Sequence, residues 1–153
     1  MNKKYLYPEE IYVSKEPTEV VTILGSCVSV CLFDPELKTG GINHFVLPDS
    51  TRFSRTGQYG IYAVPELIQR MIRMGSKPSG LQAKIFGGSM NKNLLLQFNV
   101  GLKNIALAKR ILHEYEIPIV KSCVGTPFAQ KIVFYTATGN VHVMPIKVIR
   151  KLK

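Results

Sequence analysis

Short apolar runs broken by prolines, glycines and acidic residues dominate this chain, and only two segments switch to a helical period. Residues 11–13 and 20–24 read as short strands, with Pro17 marking a turn between them. Along 28–33, Val28, Val30 and Leu32 share one face, while Ser29, Cys31 and Phe33 share the other with Cys27. That alternation without a polar side predicts a strand buried on both faces. Asp34-Pro35 ends it. Lys38-Thr39-Gly40-Gly41 reads as a hairpin turn returning the chain along 42–47, which places His44 on a strand close to the one that begins at Cys27. The pairing register is left open. Pro48-Asp49-Ser50 then opens a polar loop to Gln58 whose Arg52, Ser54 and Arg55 are expected to face solvent and border a site.

Val64, Leu67, Ile68, Met71 and Ile72 follow helical spacing, with Pro65 placed in the first turn and Gly75 as the stop. Ile105, Ala108, Ile111, Leu112 and Tyr115 mark a second helix, with Asn99 as its cap and Pro118 beyond its end. Residues 81–86 form a strand running into Gly87-Gly88-Ser89; 119–124 and 131–135 are further strands, and Thr138-Gly139-Asn140 turns the last into 141–144. Strands outnumber helices and do not alternate with them. The expected fold is therefore α/β of mixed type, a largely antiparallel β-sandwich with two packed amphipathic helices, in preference to a doubly wound parallel sheet.

Composition narrows the class. With 153 residues, 46% of them hydrophobic, the chain is expected to form one domain over 1–153. It has no apolar stretch of about 20 residues, and Met1-Asn2-Lys3-Lys4-Tyr5 is not followed by the apolar run of a signal peptide. A soluble, cytoplasmic protein without membrane insertion is expected. Three cysteines, Cys27, Cys31 and Cys123, favour reduced thiols over a disulfide framework, and no zinc spacing occurs, so no metal or cofactor is implied. The net charge of +10, from 20 Lys and Arg against 10 Asp and Glu, favours an acidic partner. The basic residues are scattered apart from Lys147, Arg150, Lys151 and Lys153, and are not interleaved with aromatics, so no nucleic acid is expected.

Gly25-Ser26-Cys27 is the segment with chemical potential. A cysteine at the start of a strand, beside a glycine that permits a tight turn, exposes its thiol and leaves nearby N–H groups unpaired. Cys27 as nucleophile, His44 as the base in the next strand, and the backbone N–H groups of Ser26 and Cys27 as oxyanion donors would form an acyl-transfer site. The bland alternative for each is a core residue: an apolar strand more often holds an inert cysteine, and a strand threonine such as Thr22 is an ordinary β-former. Cys31 lies about 13 Å from Cys27 along a regular strand, so it belongs to the core. His113 and His142 fall outside the site, and Gly87-Gly88-Ser89, lacking the spacing and lysine of a phosphate loop, reads as a tight turn beside it.

Thr22-Ile23-Leu24-Gly25-Ser26-Cys27-Val28, the Asn43-His44 strand ending Leu47-Pro48-Asp49-Ser50, and Ala83-Lys84-Ile85-Phe86-Gly87-Gly88 resemble the chemoreceptor glutamine deamidase CheD family. The likeness continues through Val100-Gly101-Leu102-Lys103-Asn104, Ile117-Pro118-Ile119 and the Thr138-Gly139 hairpin, and so covers nearly the whole chain. It implies a fold related to the catalytic domains of cytotoxic necrotizing factor toxins. It also implies hydrolysis of glutamine side chains in methyl-accepting chemotaxis receptors to glutamate and ammonia. Cys27 would be nucleophile, His44 its base and Thr22 the residue that orients the histidine. The implied partners are the cytoplasmic parts of those receptors and a CheC-type phosphatase. Residues 123–130 depart from the family's pattern and Lys103 stands where it has arginine, which bears on partner preference more than on the reaction. The rival readings are a catalytically weakened adaptor that binds chemotaxis proteins, or another Cys/His amide hydrolase or transglutaminase.

Overall fold

The computed structural model describes residues 1–50, 55–90 and 99–146. Arg52 and Ser54 of the polar loop, and the basic group Lys147, Arg150, Lys151 and Lys153, lie outside the described residues. The described elements run β1 (Asn2–Tyr5), β2 (Ile11–Ser14), β3 (Thr18–Leu24), β4 (Val28–Asp34), β5 (Thr39–Asn43), α1 (Gly60–Arg73), a 3-10 turn (Pro78–Gly80), β6 (Gln82–Gly87), α2 (Val100–Glu114), β7 (Ile119–Val124), β8 (Ala129–Tyr135) and β9 (Val141–Ile146). They form a four-stranded sheet ordered β1-β3-β8-β9 and a five-stranded sheet ordered β2-β5-β4-β6-β7. Only β1–β3 and β6–β7 are parallel, so the sandwich is largely antiparallel, as the pattern predicts.

Three layers result from two apolar faces on one sheet. Val28, Val30 and Leu32 of β4 pack with Ala63, Leu67 and Met71 of α1 and with Ala108, Ile111 and Leu112 of α2. On its other side Cys31 joins Ile42 and Phe86 against Leu24, Ile132 and Phe134 of the facing sheet. The doubly apolar run at 28–33 thus marks the central layer, and Cys31 is core as expected.

Three local expectations are corrected. The chain opens with a strand, β1, that no apolar alternation announced: its residues are mostly exposed and carry two lysines, as suits an edge, and it pairs in parallel with β3 from Asn2↔Thr18 to Tyr5↔Val21. Gly40-Gly41 is not a turn but part of β5. The reversal sits at 35–38, organised by Asp34, whose Oδ1 accepts from the amides of Glu36 (3.0 Å) and Leu37 (3.1 Å) while Oδ2 accepts from Ser76 Oγ (2.7 Å). The two glycines answer the sandwich instead. A Cβ on Gly40 would meet the backbone of Thr136 at 2.6 Å, and one on Gly41 would meet Leu67 Cδ1 at 2.9 Å. Helix α1 starts earlier than expected, so Pro65 lies in its second turn; the amides of Gly60 and Ile61 find the carbonyls of Leu47 (2.8 Å) and Pro48 (2.9 Å), which satisfies the first turn without a side-chain cap. Asn99 holds the cap position of α2 without a side-chain capping bond.

Gly40→Ala is expected to cost about 1–3 kcal/mol, because backbone of the facing sheet blocks the added methyl. Gly80→Ala, where a Cβ meets nothing within 4 Å, should leave the urea unfolding midpoint almost unchanged.

Candidate active site

The β4–β5 ladder fixes the register that the sequence left open. Cys31 faces Ile42, and the same register continues past the end of β5 to Val28 opposite Phe45. That pair exchanges both backbone bonds, Val28 N–H to Phe45 O (3.1 Å) and Phe45 N–H to Val28 O (3.0 Å). His44 therefore lies just beyond β5, not within a strand over 42–47, yet it stays in register. Val28 and Phe45 point to the helices, so their neighbours Cys27, Ser29 and His44 point to the other sheet. Ser29 is directly opposite His44, and Cys27 is its diagonal neighbour, a relation that spans about 7 Å.

His44 is 2% exposed, and its Nδ1 lies 2.7 Å from Thr22 Oγ1. The same hydroxyl is 2.8 Å from the Leu6 carbonyl oxygen, which can only accept. Thr22 must spend its one proton there, so His44 Nδ1 donates to Thr22 and the imidazole is the Nδ1–H tautomer. Nε2 is then the bare nitrogen. It is buried and has no hydrogen-bond partner among the described residues; Ser29 Oγ, on the facing strand, is in the same condition. The structure thus brings Thr22, from the four-stranded sheet, to His44 at the seam between sheets.

The backbone around Cys27 is held by its carbonyls. Gly25 O accepts from Ser89 N–H (2.9 Å), and Cys27 O from Gly88 N–H (2.8 Å). Ser26 O accepts from Asn104 Nδ2 (3.0 Å), which also donates to Val46 O (2.9 Å). No amide of Ser26 or Cys27 donates to a backbone carbonyl among the described residues. Those N–H groups are directed away from the carbonyls that hold the turn and can meet a ligand oxygen, the Cys27 N–H also favouring its own thiolate. The Gly87-Gly88 turn, at φ +97° and +65°, is built for this contact: a Cβ on Gly87 would run into the Cys27 carbonyl oxygen.

Burial pushes the Cys27 thiol pKa up, partly offset by its own backbone N–H, and lowers that of His44 to about 4. Both effects favour the uncharged pair, thiol and imidazole, at neutral pH. The arrangement suits general-base removal of the thiol proton as a bond forms, rather than a standing ion pair.

Sequence reasoning missed three supporting side chains. Asn43 accepts from Val30 N–H (2.8 Å) and donates to Ala63 O (3.0 Å), tying the residue before His44 to β4 and α1. Asn104 belongs to a quoted motif, and an amide on the buried stripe of α2 was its signal. Gln130 donates from Nε2 to Cys123 O and to Cys123 Sγ, both at 3.2 Å, and accepts from Gly87 N–H (3.2 Å), so the 123–130 segment supports the Gly87 turn. Cys123 is half-buried there and makes no disulfide. Arg55, His113 and His142 are exposed. Among the described residues no cluster of three His, Cys, Asp or Glu side chains could hold a metal, and no helix is long and apolar enough to cross a membrane.

Comparison with known proteins follows the same line. The family described as CheD chemotactic sensory transduction matches residues 46–145. A protein of Anaeromyxobacter dehalogenans named probable chemoreceptor glutamine deamidase CheD 1 is 40% identical over 139 residues, covering 88% of this chain and 80% of that one. A Shewanella oneidensis protein of the same name is 36% identical over 149 residues, covering 94% and 72%. A Caulobacter vibrioides protein named probable chemoreceptor glutamine deamidase CheD is 40% identical over 143 residues, covering 91% and 75%. Two solved structures share the fold. The Bacillus licheniformis hypothetical protein YfiH has a TM-score of 0.53 at 18% identity, over 77% of this chain and 51% of its own. Neisseria meningitidis protein NMB0706 has 0.54 at 12% identity, over 92% and 73%.

The buried neutral imidazole has a consequence for stability. With a folded pKa near 4 against an ordinary 6.5, the unfolded chain takes up a proton between these values that the fold excludes. The His44 contribution should be complete above pH 6.5 and fall away as the pH drops towards 4. Thermal unfolding of His44→Asn across this range should show a shallower decline; parallel curves for variant and parent would rule out a neutral, buried His44.

Proposed function

The chain belongs to the CheD family, and on that premise we propose that it is a chemoreceptor glutamine deamidase, with Cys27 as nucleophile, His44 as base and Thr22 as the residue that holds the imidazole. One observation carries the site assignment: the bond from His44 Nδ1 to Thr22 leaves a buried, unpartnered Nε2 on the face that Cys27 shares.

A carboxamide is a poor electrophile, and dividing its hydrolysis into two steps lowers each barrier. Nε2 of His44 takes the Cys27 proton as sulfur attacks the glutamine δ-carbon. The carbonyl oxygen gathers negative charge and is met by the free N–H groups of Ser26 and Cys27. His44 then returns the proton to the nitrogen, ammonia leaves, and an S-acyl thioester remains. Water attacks the thioester with His44 again as base; the C–S bond breaks, the thiol regains its proton and glutamate is formed. Throughout, Thr22 accepts from Nδ1–H and keeps the ring in one tautomer.

The substrate partner in this reading is the cytoplasmic part of chemoreceptors, and the protein acts in the cytoplasm; a CheC-type phosphatase is the second proposed partner. Net charge +10 supports steering towards glutamate-rich receptor helices. Hydrolysis is favoured over amine transfer because the receptor deamidase name recurs among the relatives.

Incubated with a receptor fragment, the protein should give the intact-mass gain of replacing NH2 by OH at particular glutamines. Cys27→Ala should give none. Thr22→Val, which removes the acceptor for Nδ1–H, should slow turnover roughly tenfold to a hundredfold, the equivalent of one buried hydrogen bond. Incorporation of an added primary amine in place of hydrolysis would overturn the deamidase assignment. The rate at limiting receptor should fall as salt rises from about 0.05 to 0.5 M; a flat response would remove electrostatic steering.

A further inference from the structure

Asn104 stands out among the groups around the site because it touches no reacting atom and yet joins both halves of the machinery. It is fully buried on α2, and its Nδ2 forks to Ser26 O at 3.0 Å and Val46 O at 2.9 Å. Ser26 precedes the nucleophile; Val46 lies two residues beyond His44. Its other polar atom, Oδ1, is buried without a partner among the described residues. An apolar side chain would avoid that cost and fit the surrounding stripe of Ile105, Ala108 and Leu112. The amide is therefore held for what Nδ2 does.

We propose that Asn104 is the positioning residue of the oxyanion site, aiming the Cys27 N–H by holding the Ser26 carbonyl, a proposal that rests on Cys27 being the nucleophile. Ser26 C=O and Cys27 N–H belong to one planar trans peptide and point in opposite directions. A bond that fixes the carbonyl towards α2 thereby fixes the N–H away from it. Gly88 N–H on Cys27 O and Ser89 N–H on Gly25 O fix the adjoining peptides, so the peptide between Ser26 and Cys27 is the one whose orientation depends on a side chain. The second arm, to Val46 O, holds the segment after His44 to the same amide, so the donor and the base keep a common reference. The role differs from that of Thr22: Thr22 governs which nitrogen takes the proton, and Asn104 governs where the developing oxyanion finds its hydrogen bond.

The two roles separate experimentally. Attack of the Cys27 sulfur on iodoacetamide expels iodide and forms no oxyanion, so it needs the thiol and His44 but not the N–H donor. Asn104→Leu keeps the bulk and removes the donor; Asn104→Ser leaves room for a bridging water and guards against misfolding. On the full chain with a receptor fragment, each variant should lower kcat, Asn104→Leu by about a hundredfold, the scale of a lost oxyanion donor, with KM within about twofold. The limiting rate of Cys27 alkylation at high pH, where the thiol is ionised, should stay at the wild-type value, and the pH midpoint should move upward if at all, because the Cys27 N–H also favours the thiolate. Unchanged kcat, or turnover and alkylation falling together, would overturn the proposal, as would failure of both variants to fold, which would assign Asn104 to stability alone. Wild-type protein and Cys27→Ala are measured alongside. A wild type without deamidation, or one whose activity survives Cys27→Ala, defeats the nucleophile assignment and the proposal with it; Cys27-dependent activity with intact Asn104 variants defeats the proposal alone.

Discussion

Strand β4 has no solvent side, and the rest of the molecule is arranged around that constraint. Its one face must meet two helices and its other a second sheet, so every neighbour is fixed in two directions at once. Gly40 and Gly41, beside it on β5, show how tight the fit is: one glycine admits the backbone of the facing sheet and the next admits the side chains of α1. A residue at the end of such a strand inherits its rigidity. Cys27 is that residue, and the Val28–Phe45 pair carries the same register across to His44. The thiol and the imidazole thus sit one residue beyond the ends of two packed strands and in register with them, which is the kind of support a reacting pair requires.

Around this fixed strand the polar groups divide by direction. The carbonyls of Gly25, Ser26 and Cys27 are all satisfied from outside, by Ser89, Asn104 and Gly88, while among the described residues the amides of Ser26 and Cys27 donate to no backbone carbonyl. A turn held through its acceptors presents its donors. The Gly-Gly pair at the end of β6 is the counterpart of this arrangement, since positive φ at both residues is what lets the amides of Gly88 and Ser89 reach the Cys27 segment. Gln130 extends the support by one more layer, accepting from Gly87 N–H. The 123–130 segment therefore supports the turn beside Cys27, through a side chain that spacing did not foretell.

How much of this is legible in the sequence depends on whether the cause is local. The burial of β4 on both faces, the two helical stripes and the Gly87-Gly88 turn all follow from periodicity and backbone freedom within a few residues, and all are present. What the sequence hid has distant causes. Gly40-Gly41 looked like a turn because glycine serves both turns and close approaches, and only the facing sheet decides between them. β1 lacks an apolar alternation because it is an edge whose stability comes from its partner β3. The pairing of Thr22 with His44, which the family resemblance implied and spacing alone did not, joins opposite sheets, and Asn104 reaches back across 78 residues of chain to Ser26. Neither distance is written in spacing, although a carboxamide on an apolar helix stripe is itself a sign that something polar lies opposite.

Burial explains the electrostatic character of the pair. Taking charge out of water penalises thiolate and imidazolium alike, so desolvation raises the thiol pKa and lowers that of the imidazole, and the two remain neutral when no substrate is bound. A neutral pair makes a quiet thiol, poorly reactive towards passing oxidants and electrophiles. In the proposed reaction charge then develops only as sulfur bonds to carbon, when the proton would find an acceptor in Nε2 and the oxygen would find donors in the backbone. In such a site the orientation of donors matters more than the acidity of the nucleophile, because the negative charge resides on the oxygen at the moment it is most costly. A fold that fastens three successive carbonyls outward invests its rigidity in the direction of the amides between them, where the proposed reaction places that charge.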